Sequence, residues 1–296
     1  MLKNPIIIDT DPGIDDAVAL VLALKQVDLN IVLLSSVSGN VGIENTTTNL
    51  IKLKEFLHVD IPVCKGASTP LSKKKIHAKN VHGLSGMDGY DFPTIHTQPI
   101  EEESYEAMHQ LISKTQEKVI IIALAPLTNI ALLLEHYPQD AYKIEEIVMM
   151  GGTLHKGNIT EYAEYNIYAD AKAFDCVLKS NIKMTLVPLE VTHKAVLHKK
   201  SVKQLEKNGK TGEMLACLLY AYKGGQLESG LHIHDALAVT YVLKPDIFQT
   251  KKIFLNVSLD SKTEGKLEIS QFGHPINYAY DIETEGFEKW LIECLK

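Results

Sequence analysis

Residues 6–16 read Ile6-Ile7-Ile8-Asp9-Thr10-Asp11-Pro12-Gly13-Ile14-Asp15-Asp16. Consecutive apolar β-branched residues with no polar alternation have the pattern of a strand buried on both faces. Pro12-Gly13 supplies a tight turn. Asp15 to Val27 (DDAVALVLALKQV) then reads as a helix. The alternation continues along the chain. Ile31 to Val37 is a second buried strand, and Ile43 to Leu57 is helical. Lys118 to Leu124 is a strand, Leu127 to His136 a helix, and Ile147 to Met150 and Met184 to Val187 are further strands. Apolar strands separated by helices predict an α/β fold, an open, mostly parallel sheet with helices on both faces. No repeat or linker divides the chain, so residues 1–296 are expected to form a single domain. Near the end, Ile253 to Leu259, Lys266 to Ser270 and Ile276 to Asp281 predict a small antiparallel C-terminal addition before a final helix. Gly66 to Pro99 and Lys223 to Leu231 are weakly patterned. Long irregular stretches in a compact domain are usually lids or binding loops, and these two are expected to be mobile.

Composition narrows the partners. Acidic residues outnumber basic ones 37 to 30, for a net charge of −7. This excludes the basic face that nucleic acid requires and suits a small-molecule substrate. Cys64, Cys176, Cys217 and Cys294 have no metal-type spacing and read as reduced thiols. Met1 to Asp9 lacks the pattern of a signal peptide, and no run approaches a membrane span. A cytoplasmic location is expected.

The first strand end carries the chemistry. Asp9, Asp11, Asp15 and Asp16 place four carboxylates within eight residues. Ligands of open α/β sheets bind outside the carboxyl ends of the strands. Capping the next helix uses one aspartate, or two. Four like charges here call for a cation, and hard oxygen donors without cysteine or histidine spacing indicate calcium or magnesium. Asn40 follows the second strand; Asn158, Glu164 and Asn166 follow Gly151-Gly152; His234-Asp235 opens an apolar helix. These polar groups converge on one rim of the sheet.

Asp-Thr-Asp-Pro-Gly-Ile-Asp-Asp-Ala at the N-terminus resembles the signature of the inosine-uridine-preferring nucleoside hydrolase family. The segments Val81-His82-Gly83, Pro126-Leu127-Thr128-Asn129, Ala163-Glu164-Tyr165-Asn166-Ile167-Tyr168 and His234-Asp235 match it too, in order and over nearly the whole chain. The resemblance implies hydrolysis of the N-glycosidic bond of ribonucleosides. It implies calcium bound by Asp11, Asp16, Asp235 and the carbonyl of Leu124. By the same resemblance Asp15 and Asn166 hold the ribose 2′- and 3′-hydroxyls, and Asn158 and Glu164 the 5′-hydroxyl. Asn40 braces the carboxylates, His82 and His234 sit at the base, and Tyr165 walls the base pocket. A homodimer or homotetramer is implied, while purine and pyrimidine preference both stay open. The chain departs from many members at Ala125, usually Gly, and Ala236, usually Pro.

Such a bond breaks through an oxocarbenium-like transition state. Asp11 is the expected general base toward water, and His234, with an ordinary pKa near ~6.5, the expected acid toward the leaving base. Two rivals share parts of the pattern. A phosphatase of the haloacid-dehalogenase type also puts Asp-x-Asp after its first strand, but it requires a lysine and a late acidic pair that are not evident. A non-catalytic nucleoside-binding protein would show lost ligands, and none is lost.

Overall fold

The computed structural model describes residues 4–296. Residues 1–3, the start of the Met1 to Asp9 stretch read above, lie outside the described residues. The strands are β1 (Ile6–Thr10), β2 (Ile31–Ser36), β3 (Val63–Lys65), β4 (Ile100–Glu103), β5 (Val119–Ala123), β6 (Ile144–Met150), β7 (Met184–Val187), β8 (Val196–Leu197), β9 (Gly225–Gln226), β10 (Gly230–His232), β11 (Phe248–Val257), β12 (Leu267–Ile269) and β13 (His274–Ile282). The helices are α1 (Ile14–Leu24), α2 (Ile43–Phe56), α3 (Lys79–His82), α4 (Ser104–Lys114), α5 (Thr128–His136), α6 (Tyr165–Ala169), α7 (Ala171–Leu178), α8 (Leu189–Thr192), α9 (Lys199–Leu205), α10 (Gly209–Ala221), α11 (Ala236–Leu243) and α12 (Phe287–Cys294).

Ten strands form one sheet in the order β12-β11-β13-β7-β6-β5-β1-β2-β3-β4. From β7 to β4 every pairing is parallel. β1 pairs with β2 on one side and β5 on the other. The chain order therefore reverses at β1, and a crevice opens there beyond the carboxyl ends of the strands. The pleat of β1 explains its unbroken isoleucines. Ile6 and Ile8 enter the core under α1, α10 and α11, while Ile7 enters the opposite core under α4, α5 and α7. Burying such a side chain is worth about 1.5–3 kcal/mol.

The tail forms the antiparallel addition expected, and differs from a separate sheet in being continuous with the main one. β11, β12 and β13 are antiparallel to one another, but β13 lies parallel to β7 and so extends the main sheet. The Lys223 to Leu231 stretch is less irregular than expected, because β9 and β10 join β8 in a second, antiparallel sheet. These strands are two or three residues long, too short for a periodic signal. The two weakly patterned stretches touch, with the Lys223 amide donating to the Val81 carbonyl at 3.2 Å.

One buried carboxylate ties the first of these stretches to the frame. Asp170 accepts from the amides of Leu71 (2.7 Å), Ser72 (3.2 Å) and Ala173 (3.2 Å) and from the Thr128 hydroxyl (2.7 Å). It joins the root of the 71–82 segment to α5 and to the start of α7. Asp170→Ala strands four donors, each costing about 1–3 kcal/mol if left unpaired. We expect the variant to lose at least ~3 kcal/mol in urea denaturation. A loss below about 1 kcal/mol would contradict this role.

Candidate active site

The switch point at β1 holds the aspartates. Asp11 lies just past β1, Asp15 and Asp16 form the first turn of α1, and Asp235 precedes α11, which packs on α1. Carboxylate oxygens of Asp15, Asp16 and Asp235 lie within 4.8 Å of one another, all buried. Asp16 is fully engaged. Its Oδ1 accepts from the Thr10 hydroxyl (2.5 Å), and its Oδ2 from the Gly13 amide (2.8 Å) and Asn40 Nδ2 (3.0 Å). Asp11 Oδ2 accepts from the Asn40 amide at 2.6 Å. Asn40 thus braces two carboxylates, the part the resemblance implied for it. Asp11 Oδ1 and Asp15 Oδ1 are buried without a hydrogen-bond partner.

Such a cluster resists ionisation. Burial first, then the neighbouring charge of Asp16, holds Asp11 and Asp235 well above the usual carboxylate range. The same causes push Asp15 up to about 8, and burial raises Asp16. Unpartnered buried oxygens in an all-oxygen donor set are what a hard divalent cation would satisfy. The residues present fit such an ion.

Asp9 stands apart from this set. Its Oδ1 accepts from the Ser35 hydroxyl (2.5 Å) and Asn129 Nδ2 (2.8 Å), and burial pushes its carboxyl up to about 7. Asn129 also donates to the Ser36 carbonyl at 3.0 Å and accepts from the Ala67 amide at 2.9 Å. The tight run of aspartates in sequence therefore serves two sites: Asp9, still within β1, shares the face of Ile7, whereas Asp11 lies past the strand where the chain turns at Pro12-Gly13. Asp235, distant in sequence, lies in the cluster with Asp15 and Asp16.

Above the cluster lies a cavity of about 260 Å³. Asp15, Asn40, Leu124, Asn158, Glu164, Asn166 and Asp235 line one part, and His82, Tyr165 and His234 another. Asp11 and Asp16 lie behind this lining. Glu164 caps α6, accepting from the amides of Asn166 (2.9 Å), Ile167 (3.3 Å) and Gly152 (2.8 Å). Burial nevertheless raises its pKa. Asn166 Nδ2 donates to the carbonyls of Leu124 (3.0 Å) and Met150 (3.2 Å), which leaves its Oδ1 free to accept. Asn158 Oδ1 accepts from the Tyr165 amide at 2.9 Å. Among the described residues, no lysine or arginine lines the cavity, which disfavours a phosphoryl substrate.

Both histidines depart from an ordinary imidazole. His82 Nδ1 accepts from the Ile14 amide at 3.1 Å and so caps α1, and burial lowers its pKa to about 4. His234 Nδ1 meets the Thr192 hydroxyl at 2.8 Å. Burial, and then the nearby His193, His232 and His82, lower His234 to about 3. Burial thus holds His234 well below the ordinary value of about 6.5 that the acid role was read from, and favours an uncharged ring at neutral pH. Tyr222 was missed from sequence. Its ring lies 5.5 Å from His82, and its hydroxyl, close to Asp15, donates to the His232 carbonyl at 3.0 Å. Its only signal was its position at the end of α10 before a glycine pair.

A polar cleft above a buried, acidic, cation-fitting floor at the switch point of an α/β sheet is the setting of an enzyme acting on a small polar substrate. The comparisons narrow the class: the chain belongs to the inosine-uridine preferring nucleoside hydrolase family, matching it over residues 6–289. It is 38% identical over 300 residues to the non-specific ribonucleoside hydrolase RihC of Escherichia fergusonii, covering 99% of both chains. Its structure superposes on a plant nucleoside hydrolase, PpNRh1, with a TM-score of 0.93 at 28% identity, covering 99% of this chain and 98% of the other. A purine-preferring ribonucleoside hydrolase from Gardnerella vaginalis gives 0.92 at 25% identity, with the same coverage. The chain is a ribonucleoside hydrolase, releasing ribose and free base.

Two outcomes follow from the floor of the site. A Cβ at Gly39 would stand 1.9 Å from Asp11 Oδ2, so Gly39→Ala should displace that carboxylate and abolish ribose release while the protein stays folded by circular dichroism. Wild-type turnover in Gly39→Ala would show that Asp11 is not held there. Carboxyls raised to about 7 and about 8 bind protons more tightly folded than unfolded. Their contribution is largest below the ordinary value of 3.8 and is lost as pH rises through those folded values. Chelator-treated protein should therefore melt at progressively lower temperature from about pH 5 to 8, and calcium should raise the melting point most at the upper end. A melting point that rises over that interval would contradict the raised values.

Proposed function

We propose that this enzyme cleaves ribonucleosides with Asp11 as general base, Asp15 and Asn166 holding the ribose diol, and His234 facing the departing base. The observation that carries this reading is the pair of buried, unpartnered oxygens, Asp11 Oδ1 and Asp15 Oδ1, beneath the sugar-sized cavity. Calcium, held by Asp11, Asp16, Asp235 and the Leu124 carbonyl, would offset the charge of the cluster and polarise water and the sugar hydroxyls.

The residues divide the work. Asn40 fixes Asp11 Oδ2, so Oδ1 is the oxygen that takes a proton from the attacking water. The water oxygen bonds to C1′ as the C1′–N bond breaks, and the bonding electron pair leaves with the base. Asp15 and Asn166 Oδ1 accept from the 2′- and 3′-hydroxyls, and Asn158 and Glu164 hold the 5′-hydroxyl. Charge growing on the base is met by a hydrogen bond from His234, because an uncharged imidazole donates a bond and not a free proton at neutral pH. His82, Tyr165 and Tyr222 wall the base.

Ribose release from a panel of ribonucleosides, with and without chelator, tests the reading. Activity is expected to vanish on chelation and return with calcium; full activity in metal-free protein would overturn it. The 2′-hydroxyl gives a second test. Deoxynucleosides cleave more readily in water, yet a site built around a hydroxyl rejects an analogue lacking it by about 10⁴–10⁵-fold. We expect kcat/KM for uridine to exceed that for deoxyuridine by that order. Comparable values would remove Asp15 and Asn166 from the diol.

A further inference from the structure

Thr192 ends the short helix α8 and is fully buried. The helix is held firmly. Glu190 Oε1 accepts from the Thr153 hydroxyl and the Leu154 amide, both at 2.8 Å, and its Oε2 accepts from the Tyr278 hydroxyl at 2.9 Å. Thr192 therefore meets His234 Nδ1 from a rigid base, at 2.8 Å. Two neighbouring rings confine the imidazole. His232 stacks on it at 5.6 Å and 22°, and His193 meets it edge-on at 5.4 Å and 68°.

The direction of this hydrogen bond follows from an accounting of partners. A buried hydroxyl must place its one proton on an acceptor, whereas its lone pairs tolerate vacancy better. Among the described residues, His234 Nδ1 is the one partner of Thr192 Oγ1. Were Nδ1 to carry the proton and donate, the Thr192 proton would be buried with nowhere to go. Thr192 therefore donates, Nδ1 accepts, and the ring proton sits on Nε2. With Nδ1 occupied, Nε2 is the edge that His234 offers to the cavity it lines.

We propose that Thr192 is the positioning residue that fixes His234 as the Nε2–H tautomer, so that the ring presents a hydrogen-bond donor to the departing base. The inference rests on the reading that His234 faces the base. A serine would serve as well as threonine. A valine, of equal shape, would free the ring to adopt the tautomer that turns an acceptor toward the base.

Kinetics and spectroscopy test this together. Thr192→Val should lower kcat on uridine and inosine about 10-fold or more. The loss on p-nitrophenyl riboside, whose phenolate leaves without a donor, should be much smaller. Thr192→Ser should restore nucleoside turnover, and Thr192→Val should add nothing to His234→Ala. Equal losses on both substrates, or failure of the serine to restore turnover, would overturn the inference. If His234→Ala alone lowers both substrates equally, the placement of His234 at the base falls, and the inference with it. If His234→Ala is selective and Thr192→Val is not, the inference alone falls. A long-range proton–nitrogen correlation spectrum of the unmodified enzyme needs no variant to fold. It should show His234 Nδ1 unprotonated and Nε2 protonated; the reverse assignment would overturn the inference.

Discussion

Like charges can be packed out of water only if something neutralises or separates them, and this site is built around that constraint. Asp11, Asp15, Asp16 and Asp235 are all buried at the carboxyl end of the sheet. Hydrogen bonds from Thr10, Gly13 and Asn40 satisfy some of their oxygens and fix their directions. They do not remove the charge, and burial raises all four pKa values. The fold can hold the cluster because it sits where the strand order reverses, between two parallel neighbours that anchor β1 along its length. A structure tolerates such locally unfavourable packing where a bound ligand repays it.

The same constraint orders the rest of the cavity. The polar groups that line the cavity are hydrogen-bond donors and acceptors, with no lysine among the described lining residues. Asn166 points its amide nitrogen at backbone carbonyls and so offers an acceptor inward, while Glu164 is held by three backbone amides. Both belong to or cap α6, a helix of five residues, so one short element positions two polar groups of the cavity. On the opposite side the histidines are kept uncharged by burial, which suits hydrogen bonding to a base and not the delivery of a free proton.

Much of this was legible in the sequence, for physical reasons. The isoleucines of β1 face apolar cores on both sides and so appear as an unbroken run. The match of the N-terminal signature carried the roles of the aspartates further than spacing could. Spacing alone grouped Asp9 with the others, because it shows neither that β1 ends at Thr10, before Asp11, nor that Ser35 and Asn129 from other elements engage Asp9. β3 and β4 escaped notice because strands of three and four residues carry little periodicity, and Ile100-Glu101-Glu102-Glu103, at the sheet edge, reads as polar surface. The pKa of His234 was invisible for a different reason. It depends on burial and on His193, His232 and His82, which only the folded chain brings together.

If a cation fills the cluster as proposed, carboxyls that burial holds high must ionise to bind it. Calorimetric titration of calcium into chelator-treated enzyme, repeated in buffers of different ionisation enthalpy, measures both halves of that exchange. The account predicts about one calcium per chain and a net release of protons near neutral pH, because carboxyls held high by burial and mutual repulsion must ionise to bind. Binding without proton release, or no binding at all, would contradict it.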